Sequence, residues 1–439
     1  MRASKLYSAI PISSLIFAQT FFGGVEEPNL TQKIALYSKP SVVRIFSYCS
    51  GTYKTTPELG GIDRPLFVGG IGTGFFINSE GYIVTSAHVV EASQGGENEC
   101  KQKLFNNLVR TLRDEGVSDS EDFIQEKSYL DDDFEYYQYV LLPDSRQNQA
   151  DALPFDIKEI GSTDRETGND IAIIKIQLSN TPVLKIGDSD DVGLGDSVIA
   201  IGYPVSGDRL DEFGDDSIVV SGVFEGTISK TDVSLKDNTK VLELDISVGY
   251  GSSGSPVLNE QGQVIGMVTF NEDQAVNQAL QGNATPLANR TSSLLEYVRQ
   301  AGVDNESGNL DILYRDGLDF LWNGNLEGAR SKFESVQDLF PQHSEIEPLL
   351  QDVRSSIAEM DTVQRDYNPF LLAIVGGGCF LGIGYWLFNR RLQNTQAVSS
   401  PSEVETSVIK ELPSSVPQSY REISTRQEVR QATVVSTDP

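Results

Sequence analysis

The chain has 439 residues, enough for two or three compact units, and a hydrophobic content of 39% suffices for ordinary packed cores. Its 39 glycines favour turns and short strands over long helices. Thirty-four Lys and Arg against 63 Asp and Glu leave a formal net charge of −29, which excludes a nucleic-acid partner, because phosphate binding needs basic surfaces.

The chain starts MRASKLYSAIPISSLIFAQTFFGG, with Arg2 and Lys5 ahead of an apolar stretch and small residues after it. Pro11, Ser13 and Ser14 interrupt that stretch, so residues 1–22 read as an export signal rather than a spanning helix. From residue 41 short β-like runs follow at 41–48, 74–77, 82–85, 171–176, 197–201, 241–246 and 264–270, parted by Gly, Asn and Asp. Strands at this density predict β-barrels or sandwiches. The run from Gly69 to Gly74 reads as a strand-entry turn and not as a phosphate cradle, since no Lys-Ser/Thr pair follows.

Residues 101–152 read as an acidic surface insertion containing the helix-like piece KQKLFNNLVRTLRDEG. Its Asp131-Asp132-Asp133 run lacks the alternating spacing of a calcium loop, so no metal site is expected. Cys49 and Cys100 fall outside the cytoplasm on this reading. One disulfide between them is expected over two unrelated buried thiols.

After about residue 306 the apolar spacing becomes helical, over 306–361. Gly317, Phe320, Ala329, Phe333 and Pro341 fall where a tetratricopeptide unit places Gly, an aromatic, Ala, Phe and Pro. A lone unit reads as a packed helical appendage before it reads as a peptide-binding groove. Residues 369–388 carry no charge and match the roughly 20 residues needed to cross a bilayer. Asn389-Arg390-Arg391 follows, which puts the C-terminal side in the cytoplasm and residues 389–439 in a disordered tail. Cys379, within the apolar run, is a small hydrophobe there.

Only two histidines occur. His343 lies at the Pro341 turn and is expected to be exposed; His88 lies in GYIVTSAHVV, immediately after an apolar strand-like run. Asp170 precedes IAIIKI, and Ser253 lies in the glycine-rich GYGSSGSPVLN. Peptide hydrolysis by serine needs a hydroxyl beside an imidazole, a carboxylate that fixes the imidazole tautomer, and backbone N–H groups aimed at the oxyanion. The order His…Asp…Ser is that of two-barrel proteases, and Ser255 breaks the G-x-S-x-G elbow of an α/β-hydrolase. Asp188 is a rival carboxylate in a turn-like context, and Asp245 is placed to brace the serine loop.

TGFFINSEGYIVTSAHVV, NDIAIIKI, VGLGDSVIAIGYP and GSSGSPVLNEQGQVIGMVTF together resemble the trypsin-like serine proteases of the HtrA/Deg branch, over about residues 41–301. The resemblance implies a mainly β fold of two six-stranded antiparallel barrels with the cleft between them. It implies a triad of His88, Asp170 and Ser253, with the Gly251 and Ser253 amides as oxyanion donors and no cofactor. Ser247, six positions before Ser253, stands where trypsin-like pockets place a selecting residue; its small uncharged side chain suits aliphatic or small residues. Substrates are expected to be proteins or peptides outside the cytoplasm, with the membrane as a second partner and a homo-oligomer left open. No PDZ module fits the helical stretch after residue 306. Ser255 and Ser252 replace the Gly and Asn usual in the family, so the alternative function is a protease fold retained as a membrane receptor or scaffold.

Overall fold

A computed structural model describes residues 28–145, 151–162, 170–204, 220–235, 237–269, 286–360 and 362. The expected export segment, the apolar run at 369–388 and the tail lie outside them. Among the described residues no helix is long and apolar enough to cross a membrane.

Alternating apolar residues and turn glycines build thirteen described strands. Six close the first barrel: β1 (Val42–Thr55), β2 (Asp63–Phe76), β3 (Tyr82–Thr85), β5 (Glu135–Leu141), β6 (Leu153–Ile160) and β7 (Ala172–Ile176). They run β2-β3-β7-β6-β5-β1, and antiparallel pairing of β1 with β2 completes the ring. Strand β4 (Ser128–Leu130) adds to the far end of β1. The second barrel closes in the order β10-β13-β12-β11-β8-β9, from β8 (Ser197–Gly202), β9 (Gly222–Ser234), β10 (Lys240–Ile246), β11 (Pro256–Leu258), β12 (Val264–Thr269) and β13 (Leu287–Arg290).

Three cores follow from which faces these strands bury. Val198, Leu242, Leu244, Val257, Ile265 and Val268 fill the second barrel. Phe46, Phe75, Ile173, Ile201, Leu258 and Met267 fuse the two barrels, and the Tyr203 hydroxyl donates to Val42 O across that seam. The first barrel's own core, with Ile45, Phe76, Ile83 and Ile174, continues without a break into the helices after residue 306.

Those helices are α6 (Asn309–Trp322), α7 (Leu326–Leu339) and a helix over residues 346–360, which follow α5 (Thr291–Gln300). A β-carbon on Gly317 would stand 2.5 Å from the Phe333 ring, so only glycine lets α6 and α7 approach this closely. Asp311 accepts from the Val183 amide at 2.8 Å, and the Asn305 side chain donates to Ile77 O and Leu184 O while accepting from Ile186 N. The appendage is welded to the barrel rather than hung from it.

His343 is buried, not exposed. It packs on the Tyr314 ring at 4.3 Å with both ring nitrogens lacking a hydrogen-bond partner, and burial pushes its pKa down to about 3. The turn expected at Gly69–Gly74 is the middle of β2, where Gly70 and Gly72 pair with Ser47 and Ile45 of β1. The acidic insertion also has a different extent. Its helix α3 (Gly96–Asp114) starts four residues before Cys100, and β5, within the expected insertion, is a barrel strand. Three tyrosines in EYYQYVL hid its alternation from a hydrophobicity reading.

Helices α3 and α4 (Glu121–Glu126) instead pack Leu104, Leu108, Leu112 and Ile124 on one face of the β1–β2 ribbon. The Cys49–Cys100 disulfide joins that helix to β1. Of the aspartate run, Asp131 pairs with Lys54 at 2.6 Å and Asp133 accepts from Thr52, so they pin the ribbon rather than converge. Among the described residues no cluster of three or more His, Cys, Asp or Glu is placed to hold a metal.

Candidate active site

Strand β3 leads through Ser86 into the four-residue helix α2 (Ala87–Val90), whose second residue is His88. Strand β7 starts two residues after Asp170, and antiparallel pairing of Thr85 with Ala172 brings the His88 and Asp170 side chains together. His88 Nδ1 lies 2.7 Å from Asp170 Oδ2, and the His88 amide donates to Oδ1 at 2.9 Å. Thr269 Oγ1, at the end of β12 in the second barrel, donates to the same Oδ2 at 2.6 Å. Asn289 Nδ2 donates to the Asp170 carbonyl.

Asp170 is 1% exposed. Burial alone pushes its pKa up, but the His88 imidazole and the hydrogen bonds from His88 and Thr269 outweigh it and hold the carboxyl below the usual range. A carboxylate fixed in this way favours a proton on Nδ1 and leaves Nε2 to face a reacting group.

The serine loop comes from the other barrel. Gly251 and Gly254 have φ of +91° and +89°, and a β-carbon on Gly254 would sit 2.0 Å from Thr73 O. Both positions need glycine. The turn is closed by Ser252 N donating to Gly249 O and Ser255 N to Ser252 O, while Gly254 N donates to Val268 O. The amides of Gly251 and Ser253, on either side of Ser252, make no hydrogen bond among the described residues.

Thr73 of β2 then clamps the loop to the first barrel. Its amide donates to Ser253 O at 2.9 Å, and its hydroxyl donates to Gly251 O and accepts from Tyr203 N. Thr85 Oγ1 donates to Thr73 O. Among the described residues no hydrogen bond joins Ser253 to His88; in ligand-free enzymes that contact is often long and tightens with substrate.

The remaining candidates fall in different places. Ser255 is 1% exposed, and its hydroxyl packs against Gly202, where a β-carbon would meet it at 1.9 Å. Ser247 is exposed just after β10. Asp245 is exposed on β10 and does not brace the loop through its side chain; Asp188 accepts from Asp190 N in a turn. Thr73, Thr85, Thr269 and Asn289 were not singled out in the sequence. Their only signal is position, within or flanking the GTGFF, IVTSAH, VIGMVT and LANR blocks.

Residues 72–267 match the family model described as a trypsin-like peptidase domain. A protein named "Probable periplasmic serine endoprotease DegP-like" from Halomonas elongata is 29% identical over 199 residues, 45% of this chain and 28% of its own length. A protein of the same name from Pseudomonas putida is 27% identical over 207 residues, 47% of this chain and 30% of its own. "Putative serine protease HhoB" of a Synechocystis species is 27% identical over 283 residues, 61% of this chain and 52% of its own. The chain thus spans about half or less of the length of these relatives. A solved structure described as "HtrA-type protease AlgW with decapeptide" is similar at 18% identity and a TM-score of 0.37, over 62% of this chain and 67% of that one. At that score the fold rests on the strand order given above.

Proposed function

We propose that the chain is a serine endopeptidase that hydrolyses peptide bonds of proteins outside the cytoplasm. The observation that supports it is that Thr269 of the second barrel bonds the buried His88–Asp170 pair of the first, while Thr73 of the first barrel bonds the glycine-framed Ser253 loop of the second. The names of the relatives point the same way in chemistry, and the DegP-like ones, named periplasmic, also in compartment.

The roles proposed for these residues are those that peptide hydrolysis by serine requires. Ser253 Oγ attacks the substrate carbonyl while His88 Nε2 takes its proton and then hands that proton to the leaving amine. Asp170 keeps the imidazole in one tautomer and stabilises its cation. The Gly251 and Ser253 amides receive the oxyanion. Thr73, Thr85 and Thr269 are positioning residues. Ser247 borders the pocket for the residue before the scissile bond, and no metal or cofactor enters the reaction.

Residues 1–22 direct export, residues 369–388 tether the chain once through the membrane, and 389–439 form the cytoplasmic tail. The disulfide between Cys49 and Cys100 accords with an oxidising compartment. Helices α6 and α7 form a tetratricopeptide-like pair used as a packed brace. A scaffold without catalysis drew its support from Ser255, whose side chain turns into the barrel wall beside Gly202.

Hydrolysis of reduced, carboxymethylated α-lactalbumin by the full chain, with Ser253→Ala as control, tests the proposal. Fragments are expected from the wild type alone; no fragments, or equal amounts from both, would contradict it.

A further inference from the structure

The wall of the first barrel is notched. Strand β5 pairs with β6 only at Tyr139–Pro154 and Val140–Leu153. Below that pair β5 turns away with β1, to which it is zipped as far as Glu135, while β6 stays with β7 as far as Ile160. The parting leaves a cleft of about 460 Å³ between Gln138, residues 156–160 and Ser93–Gly95, a size within the roughly 300–1,000 Å³ of binding pockets. No strand lies against that edge of β6 among the described residues, so main-chain donors and acceptors that face away from β7 open into the cleft.

Two details mark the edge as one that takes a main chain. Gln138 Nε2 donates to Phe155 O where a strand's N–H would do so, and the Tyr136 hydroxyl holds the far end of that amide. Beyond Phe155 no hydrogen bond from a described residue takes the place of a paired strand on that edge. Lys158 sits at a register shift between Ile157 and Glu159, with no partner on β7. The charges lining the cleft are Asp156 and Lys158, which pair with each other at 3.2 Å, and Glu159, so the lining carries one net negative charge. With so little charge to select on, a partner recognised here is recognised chiefly by its backbone.

We infer that the edge of β6 from Asp156 to Ile160 binds an extended segment of the polypeptide substrate by strand addition, as a docking site apart from the cleft between the barrels. Main-chain hydrogen bonds supply the affinity and the sequence tolerance that an unfolded substrate requires. The site flanks the chemistry: Gly95 is seven residues past His88, and Ile160 pairs with Ala172, two residues past Asp170. This inference rests on the peptidase reading for the identity of the ligand, though not for its geometry.

The full chain carrying Ser253→Ala, mixed with reduced, carboxymethylated α-lactalbumin, is to be followed by amide hydrogen exchange. Exchange at residues 156–160 is expected to slow by about tenfold or more in the complex. Gln94→Trp, a change at an exposed rim position, should fill the notch and weaken binding by about tenfold. Its kcat/KM on that protein should fall much further than on a four-residue peptide. No binding, or binding with protection confined to the serine loop, overturns the inference, as does a Gln94→Trp protein that binds like its parent. A wild type that protects residues 156–160 yet never cleaves supports the docking site and overturns the peptidase reading alone.

Discussion

At the scale of single residues, Thr269 carries more than its sequence context suggests. Its hydroxyl reaches from the second barrel to a carboxylate of the first, and it shares Asp170 Oδ2 with His88 Nδ1. A hydrogen bond to a buried charge contributes about 1.5–3 kcal/mol. Thr269→Val is therefore expected to lower kcat/KM at least about tenfold, with recovery in Thr269→Ser and with circular dichroism unchanged. The pH dependence has a definite sign. Because the carboxyl is held below its ordinary value in the folded state, its stabilising effect is present above the unfolded value near 3.9 and is lost as pH falls through the folded one. Loss of the Thr269 donor moves that acid limit upward, which a pH titration of unfolding would read.

His343 has the opposite logic. It is neutral in the fold, and protonation favours the unfolded chain. Its titration takes nothing from stability above the unfolded value near 6.5, and stability falls as pH drops from there toward 3. At pH 5 the loss is about 2 kcal/mol. His343→Leu, which also removes two unpartnered ring nitrogens, should flatten the acid limb of denaturation between those limits. An acid limb identical to the parent's would contradict this account.

At the scale of elements, the long β1–β2 ribbon and the disulfide-linked helix α3 depend on each other. The Cys49–Cys100 bridge closes a loop with a sequence separation of 51, for which chain entropy alone gives about 4 kcal/mol. Reduction, or Cys100→Ser, should lower the midpoint of thermal unfolding by several degrees, measured with and without dithiothreitol.

The elements also show what a sequence reveals. Strands β3, β7, β8, β10 and β12 were legible to within a residue or so, because each is an apolar run bounded by turn residues. The ribbon was not. Half of β1 and β2 alternates against an appended helix instead of a barrel core, so its outer stretch reads as polar. His343 was misplaced for a similar reason: its turn looks like a loop, yet the helix over 346–360 folds back to cover it. In the site, His88, Asp170 and Ser253 stood out because each sits in a dense motif. Thr73 and Thr269 did not, since their partners lie 180 and 99 residues away in the chain.

At the scale of the molecule, the helical appendage and the first barrel share one core, and the first barrel shares another with the second. Such a structure should unfold as a unit. Phe333, fully buried against Gly317 and near Tyr314, tests this. Phe333→Ala is expected to cost about 3–5 kcal/mol and to shift a single calorimetric transition. Two separate transitions, with the barrels unmoved, would show the appendage to be an independent module.

The proposed function requires that this architecture arm one serine. Treatment of the folded full chain with a fluorophosphonate, followed by peptide mass mapping, reads it directly. One covalent adduct is expected, on Ser253, lost in His88→Ala and reduced in Thr269→Val. An adduct on Ser252 or Ser255, or none on a chain shown to be folded, would contradict it.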